Sequence, residues 1–336
     1  MGLAGEGVYL GQFFQKFAAR IIPGPARPPM LAASVFGKHP GWDDHMEDVG
    51  YQFPEMLNFK RMVYVEGIGG NIDSGSWAHL PDSQRLPQFN HLLIYSLEDS
   101  YILASAAASR DGKGRSLYPL ITAVQARGYS LADLAEHVGP LILKLRDNVT
   151  SCATAADVRS AVNETQMSLD RLTGTLPPQP VKADRLITGS QLSQVLAADG
   201  GACDSTYRII YSLQKIVQSC GHDGANGRTE MLRVPIFGNA AWISARIWLA
   251  TLRGVFATTY PLMAIECRNA ADAAFTDLII GPAGPGQLFC LRAGTERIPL
   301  ATEIPFNTDA EFQERVKQYV TECRRLNHSP APPLPI

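Results

Sequence analysis

Two apolar runs, residues 91–97 and 101–107, are separated only by Glu98-Asp99-Ser100. A connector that short makes strand-like segments double back on each other, so the pair predicts an antiparallel hairpin. Tyr118 to Val124 reads as a further strand, as does Met62 to Val65, which together make a small antiparallel sheet. Helical periodicity follows. Ser130-x-x-Asp133 has capping-box spacing, and Leu131, Leu134, Val138, Leu141, Ile142 and Leu145 trace one apolar face that Gly139-Pro140 is expected to kink. A second helix begins at Thr154 with Asp157 in its first turn and ends before Gly174.

The second half repeats this mixture. Thr188-x-x-Gln191 and Asp204 open helices, and residues 243–252 read as another. Strands are expected at 231–237, 262–267, 276–280 and 288–291, and Thr308-x-x-Glu311 is a full capping box ahead of a C-terminal helix. Strands and helices do not alternate regularly enough for a doubly wound parallel sheet. The expected class is therefore α+β, with small, mostly antiparallel sheets flanked by helices in two domains. The domain reading is an amphipathic arm over residues 1–30, a first domain over 31–175, a proline-rich linker over 176–187, a second α+β domain over 188–328 and a disordered tail over 329–336. In the arm, Tyr9, Phe13, Phe14 and Phe17 recur at helical spacing before a proline cluster, which suits docking on the chain's own domain or on a partner.

With 336 residues, 46% apolar, 18% charged and a net charge of −2, the chain has enough material for a large core. The near-balanced charge, spread along the sequence, argues against a protein that coats nucleic acid or an anionic membrane. No run of about 18 apolar residues is present, and the N-terminus lacks the order of a secretory signal, so no membrane insertion is expected and the location expected is cytoplasmic. Six widely spaced cysteines without a CxxC pair favour reduced core thiols over a zinc ribbon.

Three polar segments could carry chemistry. Gly37 to His45, continuing to Glu47 and Asp48, places two histidines among several carboxylates, the residue inventory of a transition-metal site. Neither H-x-x-x-H nor H-x-H spacing occurs, so a structural or partner-binding loop is the stronger reading, with Trp42 as its anchor and Asp43 and Asp44 capping a short helix near Met46. Residues 66–77 have the glycine density of a phosphate cradle but no nucleotide-binding motif, which favours a tight turn. Ser109 to Arg115 is a basic loop that could grip an anion, or whose Arg115 could pair with Asp111, Asp43 or Asp44 and clamp two loops together. No nucleophile motif is present, and no cofactor or metal is expected.

Two of these segments, in order, resemble the N-terminal domain of the TagF family. The first is Gly37-Lys38-His39-Pro40 with Asp43, and the second is Ser109-x-Asp111-x-x-Gly114-Arg115-x-x-Pro119-Leu120. Where TagF proteins carry Gly-Asp-Phe after the first motif, this chain has Trp42-Asp43-Asp44-His45. The resemblance covers about residues 34–172 and implies a non-catalytic regulator or adaptor of type VI secretion that binds a forkhead-associated-domain scaffold protein. By position it makes Gly37, Lys38, Pro40, Asp43, Ser109, Asp111, Gly114, Arg115, Pro119 and Leu120 the family's signature, and with Trp42 and Asp44 these residues form the candidate partner-binding loops. A structural assembly subunit, or a metal- or phosphate-dependent enzyme using the 37–45 and 109–115 loops, are the alternative readings.

Overall fold

The computed structural model describes residues 27–179, 188–196 and 203–336, apart from positions 223, 225, 239, 270–272 and 307. The aromatic residues of the N-terminal arm, Tyr9, Phe13, Phe14 and Phe17, lie outside the described residues, as does most of the 176–187 linker.

The fold is α+β, and its strands form one sheet. The eight strands are β1 (Met30–Gly37), β2 (Val49–Gly50), β3 (Asn90–Leu97), β4 (Ser100–Ala107), β5 (Leu120–Arg127), β6 (Glu230–Pro235), β7 (Leu262–Asn269) and β8 (Ala273–Ile280). Their order across the sheet is β2-β1-β5-β4-β3-β7-β8-β6, and every neighbouring pair is antiparallel. The expected hairpin is the β3–β4 pair, closed at Leu97 opposite Ser100 with Glu98 at φ +54°. The two small sheets expected from sequence are joined, because β3 of the first half pairs with β7 of the second from His91 opposite Cys267 to Ser96 opposite Leu262.

Both faces of this sheet are covered. Successive residues of a strand point to opposite sides, so a strand buried on both faces shows almost no polar alternation. β4 and β5 show this, each being buried along seven consecutive residues. On one face Leu92, Ile94, Leu103, Val124, Ala264 and Leu278 pack beneath α2 (Gly139–Ser151), α3 (Ala155–Thr173) and α6 (Ile243–Arg253), in a chain order that also includes α1 (Pro54–Lys60), α4 (Gly189–Leu196), α5 (Cys203–Cys220) and α7 (Ala310–Leu326). On the other, Leu93, Ile102, Ala104, Ile121, Ile265 and Ile279 pack against Met56 and Phe59 of α1, the helical turns that follow it, and Leu288 to Leu291.

Several local signals act as read. Ser130 Oγ accepts from the Asp133 amide (3.0 Å), and Thr154 and Asp157 form a reciprocal capping box at the start of α3. Thr188 and Gln191 cap α4 in the same manner. Others are overridden. Met62–Val65 is not a strand: α1 runs on through a wider, π-helical stretch (Arg61–Gly69) into Gly70–Asp73, burying Val63, Tyr64 and Ile68. Residues 288–291 are helical turns instead of a strand, no helix forms near Met46, and α7 is capped by Asp309 in place of Thr308. The strand β1 went unread. Residues 329–336, expected to be disordered, lie against the core through Ala331, Leu334 and Ile336, and Tyr319 Oη donates to the Pro332 carbonyl (3.3 Å).

The sheet manages its open edge with a side chain. β2 covers β1 only at Ser34 and Val35. Beyond that point the Gln166 amide of α3 stands in for a strand, its Oε1 accepting from Ala33 N (2.9 Å) and its Nε2 donating to Leu31 O (3.0 Å).

One buried cation fastens the β3–β7 seam. Arg253, at the end of α6 and 1% exposed, donates from Nε to Ser96 Oγ (2.9 Å) and from Nη2 to the Ser96 carbonyl (2.6 Å). Its Nη1 donates to the carbonyls of Ala257 (2.8 Å) and Tyr260 (2.7 Å) on the approach to β7. Replacing Arg253 by Met keeps the apolar stem and strands these carbonyls, each of which costs about 1–3 kcal/mol when left unpaired in the interior. Urea unfolding of Arg253→Met should show a loss of about 3 kcal/mol; an unchanged midpoint would refute the assignment.

Candidate functional site

The two motif segments meet at the end of β1. Gly37, the last residue of that strand, has φ +121°, and a Cβ there would stand 2.3 Å from the Pro119 carbonyl oxygen, so only glycine allows the two chains to touch. Lys38 N donates to that same carbonyl (3.1 Å), and Ser109 Oγ donates to Lys38 O (2.7 Å). The loops are thus stitched by a backbone bond and a serine hydroxyl before any charge is involved.

At their centre lies a buried ion pair. Lys38 Nζ, its side chain 5% exposed, donates to Asp111 Oδ2 (2.9 Å) and also to the Asp44 carboxylate. The Asp111 side chain is fully buried: its Oδ1 accepts from the amides of Lys113 and Arg115 (3.0 Å each), and its Oδ2 takes a further bond from Arg115 Nε (2.7 Å). Burial on its own would raise the Asp111 carboxyl, but Lys38, the Arg115 amide and the Arg115 guanidinium together hold it well below the usual carboxylate range. The Lys38 ammonium likewise lowers Asp44, with Arg115 adding to the effect.

Arg115 completes the clamp from outside. Its side chain is 51% exposed, and its Nη2 reaches both Asp44 Oδ1 (3.1 Å) and the backbone carbonyl of Asp43 (2.8 Å). The sequence offered three carboxylate partners for Arg115. Asp111 and Asp44 take that role, while Asp43 contributes its carbonyl and leaves its carboxylate in solvent. Gly112 was not singled out in the sequence, yet it sits where the loops are closest. Its amide donates to Trp42 O (2.7 Å), and a Cβ would lie 3.1 Å from Asp43 Oδ1 and from Pro40 O. Gly114 turns the loop at φ +80°, and Pro119 is buried.

The histidines of the cluster have separate tasks. His39 is buried, with Nδ1 accepting from Gly41 N (3.0 Å) and Nε2 donating to the Val149 carbonyl (2.9 Å), so both ring nitrogens are engaged by backbone. Burial keeps it below the ordinary histidine value. Trp42 meets it edge to face with ring centroids 5.5 Å apart and packs against the main core, the anchor expected of it. His45 instead lies in an aromatic corner, bonded through Nδ1 to Tyr64 Oη (2.9 Å) and edge to face with Tyr118 at 4.8 Å. Desolvation first, and the nearby Lys38 second, push its pKa down. Among the described residues, no group of three or more His, Cys, Asp or Glu side chains is placed to hold a metal ion. Elsewhere, His91 on β3 is fully buried and driven down to about 3 by desolvation, with Arg233 and Arg292 adding repulsion, and His222 bonds the Val255 carbonyl (3.0 Å).

The exposed side of the clamp carries Pro40, Asp43, Asp44, Arg110, Lys113 and Leu117, the last 63% exposed. No family model matches this chain, and no curated protein is significantly similar to it.

The geometry separates two variants that look alike in sequence. Lys38→Met strands a buried carboxylate and should lower stability by about 3 kcal/mol, the scale for a buried pair broken on one side. Arg115→Ala removes a half-exposed partner whose worth is screened by solvent and should cost less than about 1 kcal/mol. Urea denaturation of the two variants checks this ranking; equal losses would place the weight of the clamp on Arg115 instead.

Proposed function

We propose that this chain is a non-catalytic adaptor or regulator that binds a protein partner through the paired 37–45 and 109–119 loops, in a type VI or related contractile secretion system. The observation that carries the reading is the Lys38–Asp111 lock: an interior ion pair is spent on holding two surface loops in one shape, and that shape presents a mixed-charge, partly apolar face. Interfaces of this kind rely on preorganised loops, since ordering them on contact would subtract from affinity. Arg110 and Lys113 are exposed on the same loop as Leu117 and suit an acidic or phosphorylated partner surface.

The TagF-like motifs supply the partner class, a forkhead-associated-domain scaffold or another component of the secretion machine. Both motifs fall on the lock itself: Lys38, Ser109, Asp111, Arg115 and Pro119 each make one of its bonds. The site residues are therefore read as structural first, with the neighbouring exposed side chains making the contact. A cytoplasmic location is part of this proposal. No described helix is long and apolar enough to cross a membrane.

Affinity purification of the tagged chain from its own cells, followed by mass spectrometry, tests the reading. The wild type should retain a forkhead-associated protein or sheath and baseplate components. The double variant Arg110→Glu/Lys113→Glu, which leaves the lock untouched, should lose them while its melting temperature stays within about 2 °C of wild type, as surface substitutions do. Equal recovery by both proteins, or recovery of neither partner class by the wild type, would overturn the proposal.

A further inference from the structure

The glycine-rich segment from Glu66 to Trp77 plays no part in the paired loops, and it forms one wall of a separate cleft of about 560 Å³. The opposite wall comes from the second half of the chain, at Pro285, Phe289 and Arg297. Two hydrogen-bonded cross-links from buried side chains fix the spacing of the walls. Asn71 Nδ2 donates both to Gly67 O in its own wall and to Pro285 O in the other (2.8 Å each), and Trp77 Nε1 donates to Phe289 O (2.9 Å). A cleft braced in this way exists before any ligand arrives, and its volume falls in the range of small-molecule sites, about 300–1,000 Å³.

Its chemistry is one-sided. Among the described residues, Arg297 and His79 are the ionisable groups that line it, and no Asp or Glu does. The Arg297 guanidinium lies 6.0 Å from the Phe289 ring centroid, with no carboxylate within ion-pair distance among the described residues. Ser74 and Ser76 also line the cleft, their hydroxyls 2.6 Å apart, and Ser74 Oγ donates to the Asn71 carbonyl only over a long 3.4 Å bond, whose proton an incoming anion can take over. A planar cation, an imidazole and a hydroxyl pair around an apolar floor match a tetrahedral oxyanion joined to a flat organic group.

We propose that this cleft binds a small phosphate monoester, the phosphate held by Arg297, His79 and the Ser74–Ser76 pair and the organic group resting on the Phe289 ring. The donors are side chains. The glycine-rich stretch contributes a compact helical wall, not the backbone cradle that its composition suggests. This inference is independent of the paired loops, so either can fail without the other.

Isothermal titration of the full chain with phenyl phosphate tests it, with inorganic phosphate and phenol as comparison probes. Phenyl phosphate should bind more tightly than either fragment, because it alone uses both the cationic side and the aromatic floor. Arg297→Ala should weaken it at least about tenfold, the scale of a lost charge-assisted contact. Because Arg297 is exposed, the variant should melt with the wild type, which keeps a loss of binding separate from a loss of folding. No heat of binding up to about 10 mM, well beyond the affinity of an ordinary metabolite site, would overturn the proposal, as would equal affinity in Arg297→Ala. Equal affinity for inorganic phosphate would overturn the part assigned to Phe289.

Discussion

The pairing of β3 with β7 is the constraint on which the rest of the molecule depends. Without it, β1 to β5 and β6 to β8 would be two small sheets, each with an exposed edge along a central strand. With it, one sheet has two buried faces, and helices from both halves of the chain share the cores on either side. Arg253 shows how far the fold goes to protect this seam, since a guanidinium is placed in the interior to satisfy carbonyls on both sides of it. The cleft at Asn71 and Arg297 spans the same two halves, its walls joined directly by Asn71 and Trp77 as well as through the shared sheet.

The paired loops illustrate a second point, the division of labour between the two cations. A lysine in a sequence motif is commonly read as the exposed group and an arginine as the clamp, for the guanidinium forms the better bidentate contact. Here the lysine goes inside. Lys38 lies directly after a strand that is buried along its length, so its backbone direction carries the side chain inward to Asp111. Arg115 follows a turn that holds its own amide on the Asp111 carboxylate, which leaves the guanidinium to close the cluster from the solvent side. The buried charge is tolerated because every Asp111 oxygen is satisfied, with amides on one and cations on the other.

What could be read in the sequence was local. The hairpin at Glu98-Asp99, and the caps at Ser130, Thr154 and Thr188, each depend on residues within four positions of one another. The meeting of the two motif loops was foreseen as a clamp, although its buried cation was not. Short apolar runs misled, because Met-Val-Tyr-Val at 62–65 and Leu-Phe-Cys-Leu at 288–291 fit a buried helical turn as well as a strand, and periodicity cannot separate the two at that length. The β1 strand, Met-Leu-Ala-Ala-Ser-Val-Phe-Gly, was missed since burial on both faces removes the alternation that marks a strand. The β3–β7 pairing is invisible to any local reading: the partners are some 170 positions apart, and their register is set by the cores on either side.

Hydrogen exchange of the native protein across a urea series, resolved for the strands His91 to Ser96 and Leu262 to Cys267, tests the seam most directly. If one sheet unites the halves, both sets of amides open together, with the same free energy and the same dependence on urea. Separate opening, with one strand losing protection while the other keeps it, would contradict the account.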